Sequence, residues 1–152
     1  MILDGIKKCN FLVVGRVGMD LSPDPAGTSI QDASNMVVGL GGSSANIAAG
    51  LVKLGCKSAL VTSVSDDAVG WYCEGQLDHY GVDRRYVKRI TGEYRTSLAV
   101  YETRVEHHQS VIYRNNAADF QMTVEDVEAV DYSQFGALIT AGTVFAAEPS
   151  RS

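Results

Sequence analysis

This sequence predicts an α/β fold built on a parallel sheet, and three observations carry that prediction. Continuous apolar runs at Phe11–Val14 and Gly136–Gly142, with Ser58–Val64 between them, read as strands buried on both faces. The stretch that follows Gly41-Gly42-Ser43-Ser44 has a helical period, with Ile47, Leu51 and Leu54 at i, i+4 and i+7 and Ala48 and Val52 beside them. Strand, helix and strand then follow one another within about fifty residues, which is the βαβ pattern.

Taken in order, Phe11-Leu12-Val13-Val14 ends at Gly15, and Gly15–Asp20 reads as a loop. Asp20 would then lie beyond the carboxyl end of a strand, where open α/β sheets bind ligands. Its plainer reading is a turn or cap residue. Leu21–Ala33 has no period and reads as an exposed connection, and Asn35–Val38 as a short strand leading into the glycines. The central helix is expected over about Ala45–Leu54, with Ser43 or Ser44 as cap and Gly55 closing it in the left-handed conformation. Ser65-Asp66-Asp67 offers caps for a second helix, whose stripe is Val69, Tyr72, Cys73, Leu77 and Tyr80 and whose stop is Gly81. Trp71 beside that stripe reads as a core or boundary aromatic. Tyr86–Ile90 is a short strand, and residues 95–114 read as an antiparallel excursion with His107 and His108 in its turn. Thr123 with Asp126 nearly forms a capping box. Glu148-Pro149-Ser150-Arg151 reads as the entry to a further helix.

The totals exclude several classes. A chain of 152 residues is one domain's worth, and its net charge of −5 gives no electrostatic case for nucleic acid or an anionic membrane as partner. The basic cluster of Arg84, Arg85, Lys88 and Arg89 has Asp78 and Asp83 beside it and reads as a solvated surface. Cys9, Cys56 and Cys73 are odd in number and far apart, so neither a zinc site nor a disulfide framework is expected. No apolar run reaches the length of a membrane span, and the amino terminus is not a signal peptide. A reducing cytoplasm is the expected setting.

Familiar catalytic motifs fail on inspection. Gly50–Ser58 nearly spells a phosphate loop, but Cys56 puts Lys57 out of register and the stretch ends a helix, where the dipole repels phosphate. No GxGxxG follows the first strand, three histidines give no basis for a Ser-His-Asp triad, and Asp66-Asp67 is better explained by capping. What remains is a polar site at the strand ends: Asp20, the Gly41–Gly42 backbone, Asn46 and Arg114. Asp and Asn suit the vicinal hydroxyls of a sugar, and the Arg fork suits a carboxylate or phosphate.

These residues carry a resemblance. Gly41-Gly42-Ser43-Ser44-Ala45-Asn46-Ile47-Ala48 through Leu54-Gly55 resembles the first signature of the PfkB (ribokinase-like) carbohydrate kinases. Val13-Val14-Gly15 with Met19-Asp20 resembles that family's first strand and its substrate-binding Asp, and Ser65–Gly70 its Gly-x-Asp-x-x-Gly segment. Gly15–Asp20, Tyr113–Asp119 and Glu148–Arg151 are most similar to the branch that phosphorylates 5-dehydro-2-deoxygluconate in myo-inositol breakdown. Ser44 and Ser65 depart from the usual residues, but both are small. The resemblance implies a Rossmann-type three-layer α/β/α fold with a small β lid, formed by about residues 16–42 and 95–114. It implies Asp20, Gly41, Gly42, Asn46 and Arg114 as substrate-binding residues, with no catalytic residue and no metal ligand in this stretch.

Members of that family run to roughly twice this length, and the rest carries the ATP pocket and a Gly-Ala-Gly-Asp motif whose Asp deprotonates the attacking hydroxyl. No such motif occurs here. The chain is therefore expected to be the amino-terminal, sugar-binding portion of one kinase domain, inactive alone. ATP and Mg2+ would serve the full-length enzyme and would not bind this chain by itself. A homodimer through the β lid is expected, with a small-molecule sugar or sugar acid as ligand. The rival reading is a stand-alone sugar-binding or regulatory and dimerisation module.

Overall fold

The computed structural model describes residues 2–141 and 143–151. The chain runs α1 (Ile2–Ile6), β1 (Asn10–Val14), β2 (Gly18–Asp24), β3 (Asn35–Gly41), α2 (Ser43–Lys53) and β4 (Lys57–Ser65). It continues through α3 (Ala68–Tyr80), β5 (Val87–Ile90), β6 (Ser97–Tyr101), β7 (Ser110–Tyr113), α4 (Val124–Glu128) and β8 (Ala137–Thr140).

Two sheets result. The body sheet has the order β5-β4-β1-β8, and all its pairings are parallel. Its alternation builds two cores. Val13, Leu60 and Val64 face α2 and α3 through Ala45, Ala48, Cys73 and Leu77. Leu12, Val14, Ala59 and Val61 face Met122, Val130 and Val144 on the other side. β1 and β4 read as unbroken apolar runs for this reason, whereas β8, expected to be buried on both faces, ends the described sheet order and leaves Leu138 exposed. The helices and the α4 region therefore sandwich the sheet, and the expected α/β/α layering holds.

The second sheet has the order β3-β2-β6-β7, mixed in direction: β2 pairs antiparallel with β3 and parallel with β6, and β6 pairs antiparallel with β7. It is the β lid. The loop expected at Gly15–Asp20 shortens to residues 15–17, and the connection expected from Leu21 begins later, because β2 extends to Asp24. Its Ser, Pro and Asp hide the strand from any periodicity. Pairing with β6 stops at Leu21, so Pro23 faces only Met36 of β3, where a missing N–H is tolerated.

Helix ends refine other expectations. α2 begins at Ser43 with Gly42 as its cap residue, and no side chain caps it. Ser44 instead turns inward and donates its hydroxyl to the Val14 carbonyl at 3.2 Å. At the other end Gly55 is left-handed, and the N–H groups of Gly55 and Cys56 donate to Val52 and Leu51 at 2.9 and 3.0 Å, closing the helix as expected. Asp67 caps α3 through the Val69 and Gly70 N–H groups at 3.0 and 3.1 Å, and Gly81 ends it at φ 74°. Trp71 is not a core aromatic: it is exposed, and its indole N–H donates to Asp66 at 2.9 Å. His107 lies in the β6–β7 connection at φ 52°. Glu148–Arg151 forms a turn in place of a helix start, tied down by the Ser150 N–H donating to Phe120 at 3.1 Å. Gly142, at the end of the last expected strand, lies outside the described residues.

The cysteine expectation is corrected as well. Cys9 and Cys56 form a disulfide, and Cys73 is free and buried. The two partners precede β1 and β4, neighbouring parallel strands whose starts lie side by side with Asn10 opposite Lys57. Their 47-residue separation concealed that adjacency.

Candidate functional site

The loop from β1 to β2 carries Arg16 and Val17 across the amino-terminal end of α2. The Arg16 carbonyl accepts the Ala45 N–H at 3.2 Å. Gly42, at φ 94°, passes so close that a Cβ there would stand 2.4 Å from the Arg16 oxygen. Only glycine fits that crossing.

Asp20 sits on β2, opposite Gly39 of β3 and beside Ala99 of β6. Its carboxylate covers Gly41, where a Cβ would lie 2.0 Å from Oδ1. Asp20 is half-buried and, among the described residues, no side-chain or backbone group hydrogen-bonds its carboxylate. Burial pushes its pKa above the usual carboxylate value, with Arg16 pulling the other way. A carboxylate withdrawn from water without a protein partner is costly unless a ligand completes it.

Asn46 stands exposed in the first turn of α2, its side chain unpartnered among the described residues and its N–H donating to Gly42 at 3.0 Å. It belongs to the body, while Asp20 belongs to the lid sheet, and no hydrogen bond joins them. Arg114 follows β7. Its Nη2 donates to the Asp119 carboxylate and to the Thr143 carbonyl at 2.9 Å, and its guanidinium lies 4.2 Å from the Phe120 ring centre. Among the described residues, the Arg114 Nε and Asp119 Oδ1 are buried without partners. The structure therefore brings Asp20 onto Gly41 and Gly42 onto Arg16, with Asn46 following Gly42 in α2 and Arg114 close enough to Arg16 to act on its charge, but no hydrogen bond among the described residues links the Asn46 or Arg114 side chain to Asp20.

Sequence reasoning gave no role to Arg16, Ser97 or Asp119. Arg16 donates to the Ser97 hydroxyl at 2.9 Å, and Asp119 holds Arg114. The available signal for Arg16 was its place between two glycines just beyond a buried strand. Elsewhere, an apolar cleft of about 300 Å³ lies along β8 and α4, lined by Val14, Met122, Val127, Leu138 and Phe145, away from these polar residues. Among the described residues no group of three or more His, Cys, Asp and Glu is placed to hold a metal ion.

The profile of the pfkB family carbohydrate kinases matches residues 9–148. This chain belongs to the pfkB family. Within that family it is 35% identical over 140 residues to the 5-dehydro-2-deoxygluconokinase of Photobacterium profundum, covering 92% of this chain and 42% of that protein. An uncharacterized sugar kinase from Pyrococcus horikoshii, solved in complex with ATP, superposes with a TM-score of 0.77 at 25% identity, over 93% of this chain and 46% of that one. Fructokinase from Xylella fastidiosa shares the fold with a TM-score of 0.80 at 21% identity, over 94% and 44% of the two chains. The chain spans less than half the length of these pfkB relatives.

Proposed function

We propose that this chain is the acceptor-binding portion of an ATP-dependent pfkB carbohydrate kinase whose substrate is a sugar acid, 5-dehydro-2-deoxygluconate, in myo-inositol breakdown. The observation that carries the reading is Asp20: a half-buried carboxylate without a hydrogen-bond partner among the described residues, seated over Gly41. Such a group accepts hydrogen bonds from sugar hydroxyls. Asn46 supplies donor and acceptor from the body side, the Gly41–Gly42 backbone lets the sugar approach closely, and Arg114 borders the site. Identity to a 5-dehydro-2-deoxygluconokinase supports the choice of acid.

In the kinase reaction the bond from the γ-phosphorus to its bridging oxygen breaks, the acceptor hydroxyl forms the new bond, and its proton passes to a base. ATP supplies the phosphoryl group, and Mg2+ neutralises its charge. The residues here bind and orient the acceptor. The base and the nucleotide site belong to the further length that the relatives possess, so this chain alone binds sugar acid without turnover and without ATP. Dependence on ATP supports a cytoplasmic setting, while the Cys9–Cys56 disulfide counts against a strongly reducing one; no described helix is long and apolar enough to cross a membrane.

Exposed apolar residues on the lid's outer strands, Val37 on β3 and Val111 and Ile112 on β7, support a homodimer through the lid. Light scattering tests this: Ile112→Lys shifts the mass from dimer to monomer. Calorimetry with 5-dehydro-2-deoxygluconate and with ATP tests the main reading. Binding of the acid, lost in Asp20→Ala, supports it; phosphorylation by the purified chain, or acid binding unchanged in Asp20→Ala, overturns it.

A further inference from the structure

Arg16 is a half-buried cation without a counterion. Its one side-chain hydrogen bond goes to the neutral Ser97 hydroxyl, and among the described residues no carboxylate forms an ion pair with it. The nearby charged and titratable groups are Arg114, Asp119, Asp20 and Cys73, drawn from β2, α3 and the segment after β7. Asp119 is already engaged by Arg114. Asp20 feels Arg16 electrostatically but is not paired with it.

Two opposite charges that share a site normally collapse into an ion pair. Here each is held back. Ser97 on β6 tethers the Arg16 fork beside Gly18, where a Cβ would stand 3.3 Å from Nη1. Asp20, two residues along the same face of β2, is seated over Gly41. The pair is thus a cation and a carboxylate kept apart on one face, both partly withdrawn from water.

We propose that Arg16 is the specificity-determining residue of this site, taking the substrate's carboxylate while Asp20, on the same strand face, takes a hydroxyl of the same molecule. The ligand class is a hydroxy acid long enough to bridge them. Arg114, its charge balanced by Asp119, adds a weaker attraction from the margin. Burial and the neighbouring Arg114 both lower the pKa of Arg16, the direction expected for a cation awaiting its anion. This inference rests on the sugar-acid reading above.

The test is calorimetry on the purified protein with 5-dehydro-2-deoxygluconate, its uncharged primary amide, and inorganic phosphate. The acid binds about tenfold or more tightly than the amide, as expected for a charge-assisted bidentate contact. In Arg16→Gln the acid loses far more affinity than the amide, so the acid-to-amide ratio falls to about one; in Arg16→Lys, which keeps the charge, a reduced preference survives. A merely structural Arg16 would lower the melting temperature without moving the acid-to-amide ratio. Equal binding of acid and amide to the wild type, or a ratio unchanged in Arg16→Gln, overturns the role of Arg16 and leaves the sugar site standing. Phosphate binding at Arg16 without any acid preference assigns the cation to a phosphoryl group and also overturns it. Failure of both acid and amide to bind removes the sugar-acid reading together with this one.

Discussion

The Asp20 carboxylate occupies the volume that any side chain at residue 41 would need, with Oδ1 2.0 Å from where a Cβ would be. The acidic residue and the glycine of the signature are therefore one device, although 21 positions separate them in sequence.

Gly41→Ala should displace Asp20 without opening either core. Hydrogen bonds to charged groups are worth about 1.5–3 kcal/mol. Affinity for the sugar acid should accordingly fall by roughly tenfold or more in titration calorimetry, with far-ultraviolet circular dichroism unchanged. Retained affinity would separate the two residues.

Asp20 also gives the protein a pH signature. Its pKa is raised in the folded state, chiefly by burial. A raised pKa means that the folded protein holds the proton more tightly than the unfolded chain, so this contribution to stability is full below the unfolded value and is lost as pH rises through the folded one. Asp20→Asn should therefore melt higher than the wild type at pH 7, and the gain should shrink as pH falls through the raised folded value and be gone below the unfolded one, 3.8. A gain independent of pH would rule out this origin.

Asp119 is nearly fully buried and holds Arg114, whose side chain is 16% exposed. Removing one partner of such a pair costs about 3–5 kcal/mol, because the other charge is left stranded. Asp119→Ala should lose stability on that scale in urea, and adding Arg114→Met, which keeps contact with Phe120, should recover most of it. Additive losses in the double variant would mean that the pair is not coupled.

Thiol counting checks the cysteines. With Cys9 and Cys56 bonded and the Cys73 thiol buried and pushed up to about 12, native protein should show no reactive thiol. Unfolding without reductant should expose one, and reduction should expose three. Closing a loop of this length stabilises by about 2–4 kcal/mol, so reductant should lower the melting temperature. An unchanged melting temperature on full reduction would refute that contribution.

Much of this architecture was legible because its causes are local. Phe11–Val14 and Ser58–Val64 are apolar throughout since both their faces are covered, and Asp67 and Gly81 mark α3 by the chemistry of its ends. Asp20, expected in a loop beyond β1, instead lies on β2, inside the 16–42 span that the resemblance assigned to a small β lid. What escaped depends on partners remote in sequence. Pro23 is tolerated because β6 has stopped pairing, and Ser44 turns inward because Val14 lies under it. Arg16 stands out only once Ser97, 81 residues away, is seen to hold it away from Asp20.

The disulfide lies where β1 and β4 begin, and the Arg16–Asp20 face lies beyond where β1 ends. The clasp and the palm of the molecule are thus at opposite ends of one five-residue strand. Reduction of the clasp should lower stability and leave the proposed preferences of the palm unmoved. Persistence and the selectivity proposed for Arg16 should therefore be separately adjustable, with substitutions at one end leaving the other unretuned.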